Sequence, residues 1–441
     1  MSVSIQEYLR RAPATSKEIQ LATSQNQAAV SRQLRAMADS VIKIPNGRSP
    51  LYALACNAFG GGDRFSIFMV DAQGTPSPVA YLRPLAHGGF FIEAFTGIPS
   101  VLMGDSKNGL FDDLPYFLED LRPQGFLGRK IAANLAGQDT HLPHDPKRWS
   151  KDQLGRYLVA NGDDFDFSGN LVFSLQGCLR IRRCIEKHGE DDYSQLAEQV
   201  LGDDSYGSSA GGEQPKFTTF CRERQRHVIV KFSPKGESDV ARRWRDMLIT
   251  EHYATEALHV CHTPAAETKL IEKGGRLFLE SIRFDRSGEY GRLAMLSLQV
   301  VDAEFVGDGQ SWPSIAEAML KMELMGSLDD FFIRLLWCFG RMIHNTDMHT
   351  GNLSLSIEGD CFKLLPIYDM CSMGFAPKSG EVLAYDFVAP KLDDLSLEEH
   401  ECLVLLKATQ FFWESISLEA LASDELRAFA LSQLQGVENE K

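Results

Sequence analysis

The pattern of apolar and polar positions predicts a compact helical segment at the start of the chain. Residues 27–37 place apolar side chains at helical spacing, and two shorter helices are predicted over 4–11 and from Ser16, the expected N-cap. Residues 41–54 read as two strands around an Asn-Gly turn, which predicts a hairpin. Three short helices followed by a hairpin resemble a winged helix-turn-helix domain.

The remaining pattern mixes short strands with long helices. Apolar runs broken by Gly and Pro over 64–94 predict a small sheet, and 111–135 predicts an amphipathic helix that is interrupted at Pro123. Hairpins are predicted over 218–232 and 353–367, and long helices over 240–258 and 330–343. These elements predict an α+β protein.

Length and composition limit the number of domains and the class of protein. With 441 residues, 44% of them apolar, the chain is expected to form two or three domains. No apolar run reaches the roughly 18 residues that a membrane span requires, and no signal core is evident, so we expect a cytoplasmic protein without a membrane partner. The nine cysteines include no CxxC pair, which disfavours a disulfide scaffold or a zinc ribbon.

Charge singles out the N-terminal segment. The chain carries a net charge of -15, yet residues 1–54 hold seven Lys and Arg against three Asp and Glu, a local charge of +4. Because amide and guanidinium groups can read base edges and phosphates, the outer face of the third helix and the wing tip are predicted to contact DNA. The predicted DNA-contacting residues are Gln27, Ser31, Arg32, Arg35 and Arg48. The alternative is a small protein-docking domain with solvated charges.

The nine-residue stretch HNTDMHTGN, residues 344–352, concentrates polar side chains between a predicted helix and a predicted hairpin. Asp347 and Asn352 stand five residues apart, the spacing of a kinase catalytic loop, and Asp369 follows the next hairpin. A base plus two magnesium ligands is what phosphoryl transfer requires. The alternatives are a metal hydrolase that uses His344, Asp347 and His349, and a crowded polar turn.

A Gly-rich stretch, YGSSAGGEQPKF at 206–217, precedes the first of these two hairpins. Backbone N–H groups in such a loop can surround a phosphate. Lys231 lies in the apolar second strand, where its amine requires an anionic partner, and Glu251 and Glu256 on the following helix are the candidates. The alternative is an edge-strand lysine exposed to water.

Several of these motifs together resemble the HipA-type serine/threonine kinases, the toxin kinases of bacterial toxin-antitoxin systems. The motifs are SSAGGEQPKF at 208–217, VKFSP at 230–234, IRFDR at 282–286, LSLQVVDAEF at 296–305, HNTDMHTGN at 344–352 and PIYDM at 366–370. Within that family, the fusion to a winged helix is most similar to the YjjJ type. The resemblance extends over most of residues 60–420.

The resemblance implies a role for individual residues. Asp347 would be the catalytic base, Asn352 and Asp369 would hold Mg²⁺, and Lys231 would contact the ATP phosphates. Further ATP contacts would come from Ala210, Gly211, Gly212, Glu213, Gln214, Lys216, Glu280, His349 and Tyr368. The strand 277–281 would form the hinge beside adenine. Ser208 and Ser209 are the implied autophosphorylation sites.

The resulting hypothesis is a bilobal kinase-like fold of HipA type behind a winged helix. The predicted domains are 1–56, winged helix; 57–150, N-terminal subdomain; 151–285, kinase N-lobe; and 286–441, helical C-lobe. The predicted activity is ATP- and Mg²⁺-dependent phosphorylation of a Ser or Thr on a cellular protein, with DNA and an antitoxin as further partners. The alternative function is a DNA-binding transcriptional regulator whose kinase-like body only senses a nucleotide or ligand.

Overall fold

The computed structural model describes residues 3–95, 97–138, 142–160, 167–173, 177–179, 185–202, 214–378 and 380–439. The chain divides into two compact units. One comprises Met1–Arg122 and Ala132–Arg183, and the other comprises Pro123–Ile131 and Cys184–Lys441. Among the described residues, no helix combines the length and apolar character that crossing a bilayer requires.

The first unit begins with the helices and the hairpin that the sequence predicts. The helices are α1 (Ile5–Leu9), α2 (Ser16–Thr23) and α3 (Gln27–Ala36). The strands are β1 (Ala14–Thr15), β2 (Val41–Ile44) and β3 (Leu51–Leu54), in the order β1-β3-β2. The predicted hairpin is confirmed. Strand β1 was not predicted, because two residues are too few to show an alternating pattern.

The N-terminus of α2 is capped by Thr15, so the predicted N-cap at Ser16 was wrong by one position. The Oγ1 of Thr15 accepts from the backbone N–H of Glu18 at 3.3 Å, and the carboxylate of Glu18 accepts from the backbone N–H of Thr15 at 2.7 Å. This reciprocal pair forms a capping box, which satisfies two backbone donors at the helix start.

The N-terminal segment is continuous with the sheet that follows it. The backbone N–H of Ala86 donates to the carbonyl of Leu54 at 2.8 Å. A single buried apolar cluster contains Ile42, Ile44, Ala53, Leu85 and Phe91. The N-terminal hairpin therefore shares a core with the middle of the chain.

The middle sheet has five strands in the order β7-β6-β5-β4-β8. These are β4 (Phe65–Val70), β5 (Pro76–Pro84), β6 (Phe90–Ala94), β7 (Leu110–Phe111) and β8 (Leu171–Val172). The helices of this region are α4 (Tyr116–Glu119), α5 (Gly125–Gln138) and α6 (Lys151–Ala160). Because β8 pairs with β4, residues 171–172 belong to the middle sheet. The sequence had placed them in the predicted kinase N-lobe, residues 151–285.

The second unit starts with a five-stranded sheet in the order β12-β13-β11-β10-β9. Its strands are β9 (Lys187–His188), β10 (Lys216–Cys221), β11 (Arg226–Phe232), β12 (Thr268–Lys273) and β13 (Arg276–Ile282). Helix α7 (Tyr193–Gly202) contributes Tyr193 to a buried cluster on one face with Phe217, Val230 and Phe278. Helix α8 (Asp239–Val260) carries the candidate partners of Lys231.

Helices dominate the rest of this unit. They are α9 (Leu298–Phe305), α10 (Trp312–Lys321), α11 (Ser327–Met342), α12 (Glu399–Leu418) and α13 (Asp424–Asn439). Short strands complete it: β14 (Arg286–Ser287), β15 (Gly291–Arg292), β16 (Leu296–Ser297), β17 (Ser354–Glu358) and β18 (Cys361–Leu364). Helix α11 and the hairpin β17-β18 enclose the HNTDMHTGN loop, in the predicted order.

Candidate active site

Lys231 lies at the centre of the candidate site. Its strand β11 is the third of five in the sheet, and its Cα is paired with Lys216 on one side and Leu279 on the other. The residue is 8% exposed. The alternative of an edge-strand lysine exposed to water is therefore wrong.

Two carboxylates meet the ammonium group of Lys231. Nζ donates to both oxygens of Glu251 at 2.6 Å, and it also contacts Oδ1 of Asp369. Of the two candidates on α8, the structure selects Glu251, whereas the carboxylate of Glu256 faces His259 at 3.7 Å. One contact network thus joins strand β11, helix α8 and the segment after β18.

Electrostatics keeps Lys231 and Asp369 of this network charged. Burial disfavours the ammonium of Lys231, but the carboxylates of Asp369 and Glu251 outweigh it and raise its pKa above the ordinary value. Burial would raise the pKa of Asp369, but Lys231 and then Lys216 hold it well below its ordinary value. Burial raises the pKa of Glu251. Asp369 has a backbone φ of 54°, in the left-handed region, so a local turn presents its side chain.

The predicted catalytic loop folds around its own polar groups. The side-chain amide of Asn352 donates to the carbonyl of Asp347 at 2.7 Å, and the backbone N–H of Asp347 donates to the side-chain oxygen of Asn345 at 3.0 Å. The side chain of Asp347 is 50% exposed. The loop therefore leaves the Asp347 carboxylate open to a reacting group and fixes its backbone through two amides.

His344 supports the loop from behind. Its ring packs on Phe375 and Phe387, with centroids 4.8 and 4.3 Å apart, and burial, reinforced by Lys378, lowers its pKa. A Cβ on Gly374 would come within 2.0 Å of this ring, so glycine is required there. Among the described residues, no group of three His, Cys, Asp or Glu side chains converges as metal ligands. This geometry disfavours the hydrolase alternative.

Comparison with known proteins places this site in a family. The model for the YjjJ-like toxin middle domain matches residues 61–182, and that for the HipA-like C-terminal domain matches residues 208–425. Over 434 residues the chain is 33% identical to Toxin YjjJ of Escherichia coli (strain K12), a match that covers 96% of this chain and 95% of that protein. The chain belongs to the HipA-like toxin family, YjjJ type.

A solved structure shares the fold of this chain. A chain of the Shewanella oneidensis MR-1 toxin-antitoxin complex of HipA, HipB and operator DNA superposes with a TM-score of 0.56. The alignment covers 85% of the present chain and 97% of that chain, at 15% identity, so it shows the fold. The predicted HipA-type α+β fold and the predicted family are both confirmed.

Two further predicted ATP contacts of this HipA-like chain border the loop. The Nε2 of His349 lies 3.9 Å from Oδ1 of Asp347, and the indole N–H of Trp312 donates to the His349 carbonyl at 3.1 Å. The hydroxyl of Tyr368 lies 3.0 Å from Oγ of Ser354 and donates to the carbonyl of Gly351 at 3.3 Å. The His349 ring thus lies near the Asp347 carboxylate, and Ser354 and Gly351 hold the Tyr368 hydroxyl.

Glu280 has a different position from the other predicted contacts. It is paired with Val230 across strands β11 and β13, so its side chain lies on the sheet face opposite Lys231. Its carboxylate accepts from Tyr193 and lies 2.7 Å from Nε of Arg224. The Glu280 carboxylate therefore stabilises the packing of α7 on the sheet and faces away from the Lys231 network.

The predicted Gly-rich loop is only partly described. Ser208, Ser209, Ala210, Gly211, Gly212 and Glu213 lie outside the described residues. Lys216 shares the sheet face of Lys231, and the Nε2 of Gln214 is buried without a described hydrogen-bond partner. Asn345 and Trp312 position the loop but were not predicted. Asn345 carried a signal, since an Asn two residues before the candidate base can accept from its backbone N–H.

The predicted DNA-contacting residues lie on one segment of the first unit. Gln27, Arg32 and Arg35 are exposed on α3, and Ser31 is half-buried. Arg48 is exposed in the turn between β2 and β3. This HipA-like chain therefore presents cationic and amide groups on α3 and a cationic group in the turn between β2 and β3.

Proposed function

We propose that this HipA-like toxin-family protein is an ATP- and Mg²⁺-dependent kinase that phosphorylates a Ser or Thr hydroxyl on a protein. The contact of Lys231 with both Glu251 and Asp369 carries the proposal. A buried lysine held between a helix glutamate and the aspartate after the catalytic hairpin is the arrangement that kinases use on ATP phosphates. Asp347 and Asn352 complete it at the required spacing.

Each residue has a task in the proposed reaction. The substrate hydroxyl oxygen attacks the γ-phosphorus, the bond from phosphorus to the β–γ bridging oxygen breaks, and ADP leaves. The half-exposed carboxylate of Asp347 accepts the hydroxyl proton. Lys231 would orient the ATP phosphates, and residues 210–216 would surround them with backbone N–H groups.

Asn352 and Asp369 are the residues that would hold Mg²⁺. Two protein ligands suit this ion, which keeps several waters and binds substrate phosphates. The donor set fits, because the Asn352 amide nitrogen is engaged with Asp347, which leaves its oxygen available, and Asp369 is ionised. When bound, Mg²⁺ would neutralise charge on the phosphates. The remaining predicted contacts are His349 and Tyr368, and Ser208 and Ser209 are the proposed autophosphorylation sites.

Labelled ATP tests the kinase proposal directly. Wild-type protein with Mg²⁺ is expected to label itself or a protein in a cell lysate, whereas Asp347→Asn and Asp369→Asn are expected to lose at least about 100-fold in rate. Asp393→Asn, an exposed carboxylate outside the site, is the matched control. Absence of transfer by the wild type, or equal transfer by Asp347→Asn, would contradict the proposal.

We further propose that the N-terminal segment binds DNA and that an antitoxin partner regulates a toxic activity. The exposed residues of α3 and the wing support the DNA proposal, as does the operator DNA complex of the Shewanella relative. The full chain is the right sample for a gel shift, because Ile42, Ile44 and Ala53 share a core with Leu85 and Phe91.

The DNA proposal predicts a salt-dependent shift of random duplex. Arg32→Ala combined with Arg35→Ala is expected to reduce the slope of log affinity against log salt by about two, roughly one for each lost phosphate contact. Arg148→Ala is the control, since its side chain is 81% exposed elsewhere in the same unit. Binding that is unchanged in the double variant would favour the protein-docking alternative.

A further inference from the structure

A cavity of about 660 Å³ opens in the second unit, at residues that the proposed kinase chemistry does not use. Its wall is formed by the first turns of α8, by the segment 382–385 and by α13. The volume falls in the range of about 300–1,000 Å³ that is typical of small-molecule sites. Val382, Leu383, Ala384 and Phe429 supply an apolar part of the lining.

Arg243 places a buried guanidinium group in the wall of this cavity. The residue is 4% exposed, and its Nη1 donates to two backbone carbonyls, of Phe375 at 3.0 Å and of Leu383 at 2.7 Å. Its Cζ lies 3.8 Å from the centre of the Tyr385 ring. Within the part of the chain that the structure describes, no carboxylate oxygen lies within 4.0 Å of its guanidinium nitrogens.

The acidic residues of the cavity are engaged with other partners. Asp246 accepts from Ser423 N–H at 2.9 Å, from Ser423 Oγ at 2.6 Å and from the Tyr385 hydroxyl at 2.7 Å. Asp239 contacts Arg242. Glu425 is exposed, so water screens its charge. Arg243 is therefore a buried cation whose guanidinium no carboxylate touches, although its charge attracts the nearby carboxylate of Asp246 and counteracts the rise in pKa that burial causes there.

We propose that this cavity binds a small organic anion, whose carboxylate or phosphate group pairs with Arg243 and whose apolar part lies on Phe429 and the 382–385 segment. A planar guanidinium with free N–H groups matches an oxyanion in a bidentate manner. The bound anion would connect α8, which carries Glu251, to the segment that follows Asp369. The site is distinct from the proposed ATP site and does not depend on phosphoryl transfer.

Titration calorimetry of the full chain tests this proposal with probes of one shape. Phenyl phosphate and benzoate are expected to bind with dissociation constants of about 0.1–1 mM. Benzylamine, a cation of similar shape, is expected not to bind. Arg243→Gln is expected to weaken binding about tenfold or more. Saturating ATP with Mg²⁺ is expected to leave the binding of both anions intact, which separates this cavity from the ATP phosphate site.

A second pair of variants keeps the test independent of the folding role of Arg243. Ser432→Trp should fill the cavity from its exposed rim and abolish binding, whereas Leu431→Trp, exposed on the adjacent helix position, should not. The proposal is overturned if neither anion binds at about 10 mM, or if benzylamine binds equally well. Full binding in Ser432→Trp, or equal loss in both tryptophan variants, would overturn it as well.

Discussion

Lys231 donates two hydrogen bonds of 2.6 Å, one to each carboxylate oxygen of Glu251, and both side chains are buried. The pair joins a central strand of the sheet to helix α8. Because Asp369 contacts the same ammonium, one cation balances two carboxylates that come from separate parts of the chain.

Removal of the Lys231 ammonium is expected to destabilise the folded protein more than removal of the Glu251 carboxylate charge. Lys231→Met leaves the buried carboxylate of Glu251 and the partly exposed carboxylate of Asp369 without their cation and should lower the free energy of unfolding by about 3–5 kcal/mol. Glu251→Gln leaves the Lys231–Asp369 contact and should lower it by about 1–3 kcal/mol. Chemical denaturation measures the free energy of unfolding of both variants. The control is Lys363→Met, at a side chain that is 57% exposed, which should change the free energy of unfolding by less than about 1 kcal/mol.

The contribution of Asp369 to stability should depend on pH in a defined direction. Despite burial, Lys231 and Lys216 hold its pKa in the folded protein below the ordinary value, so its ionised form is stabilised by folding. That contribution is complete above the ordinary carboxyl pKa of about 4 and is lost as the pH falls towards the folded value. The stability difference between wild type and Asp369→Asn should therefore shrink below about pH 4. A constant difference between pH 7 and pH 3 would contradict this assignment.

Gly374→Ala should disturb the catalytic loop through His344. The new Cβ would lie 2.0 Å from the imidazole ring, which Phe375 and Phe387 hold in place. We expect a loss of about 1–3 kcal/mol in stability together with slower phosphoryl transfer. Gly436→Ala is the matched control, because its Cβ would meet nothing within 4 Å on helix α13 and should be neutral or slightly stabilising.

The shared core of the N-terminal segment and the middle sheet is also testable. Phe91→Ala removes a 5% exposed ring from the cluster with Ile42, Ile44 and Leu85 and should lower stability by about 3–5 kcal/mol. Limited proteolysis should then cleave the N-terminal segment and the middle sheet at the same rate. Cleavage of the middle sheet alone, with residues 1–54 protected, would show that the N-terminal segment folds independently.

The sequence alone determined the features that depend on local order and spacing. Asp347 and Asn352 are five positions apart, and Asp369 follows the next hairpin, so the proposal that they act as one set follows from the sequence order without coordinates. The helices and the N-terminal hairpin were also predictable, because apolar periodicity and the Asn-Gly turn act within a few residues.

Tertiary structure decided the features that depend on strand order and side-chain direction. Glu251 and Glu256 are five residues apart on one helix, so they point about 140° apart, and only the docking of α8 selects Glu251. Glu280 lies one residue beyond Leu279, the cross-strand neighbour of Lys231, and the two-residue period of a strand directs it to the opposite face. The central position of Lys231 and the burial of Arg243 against the carbonyls of Phe375 and Leu383 arise from contacts between distant segments, which local periodicity does not encode.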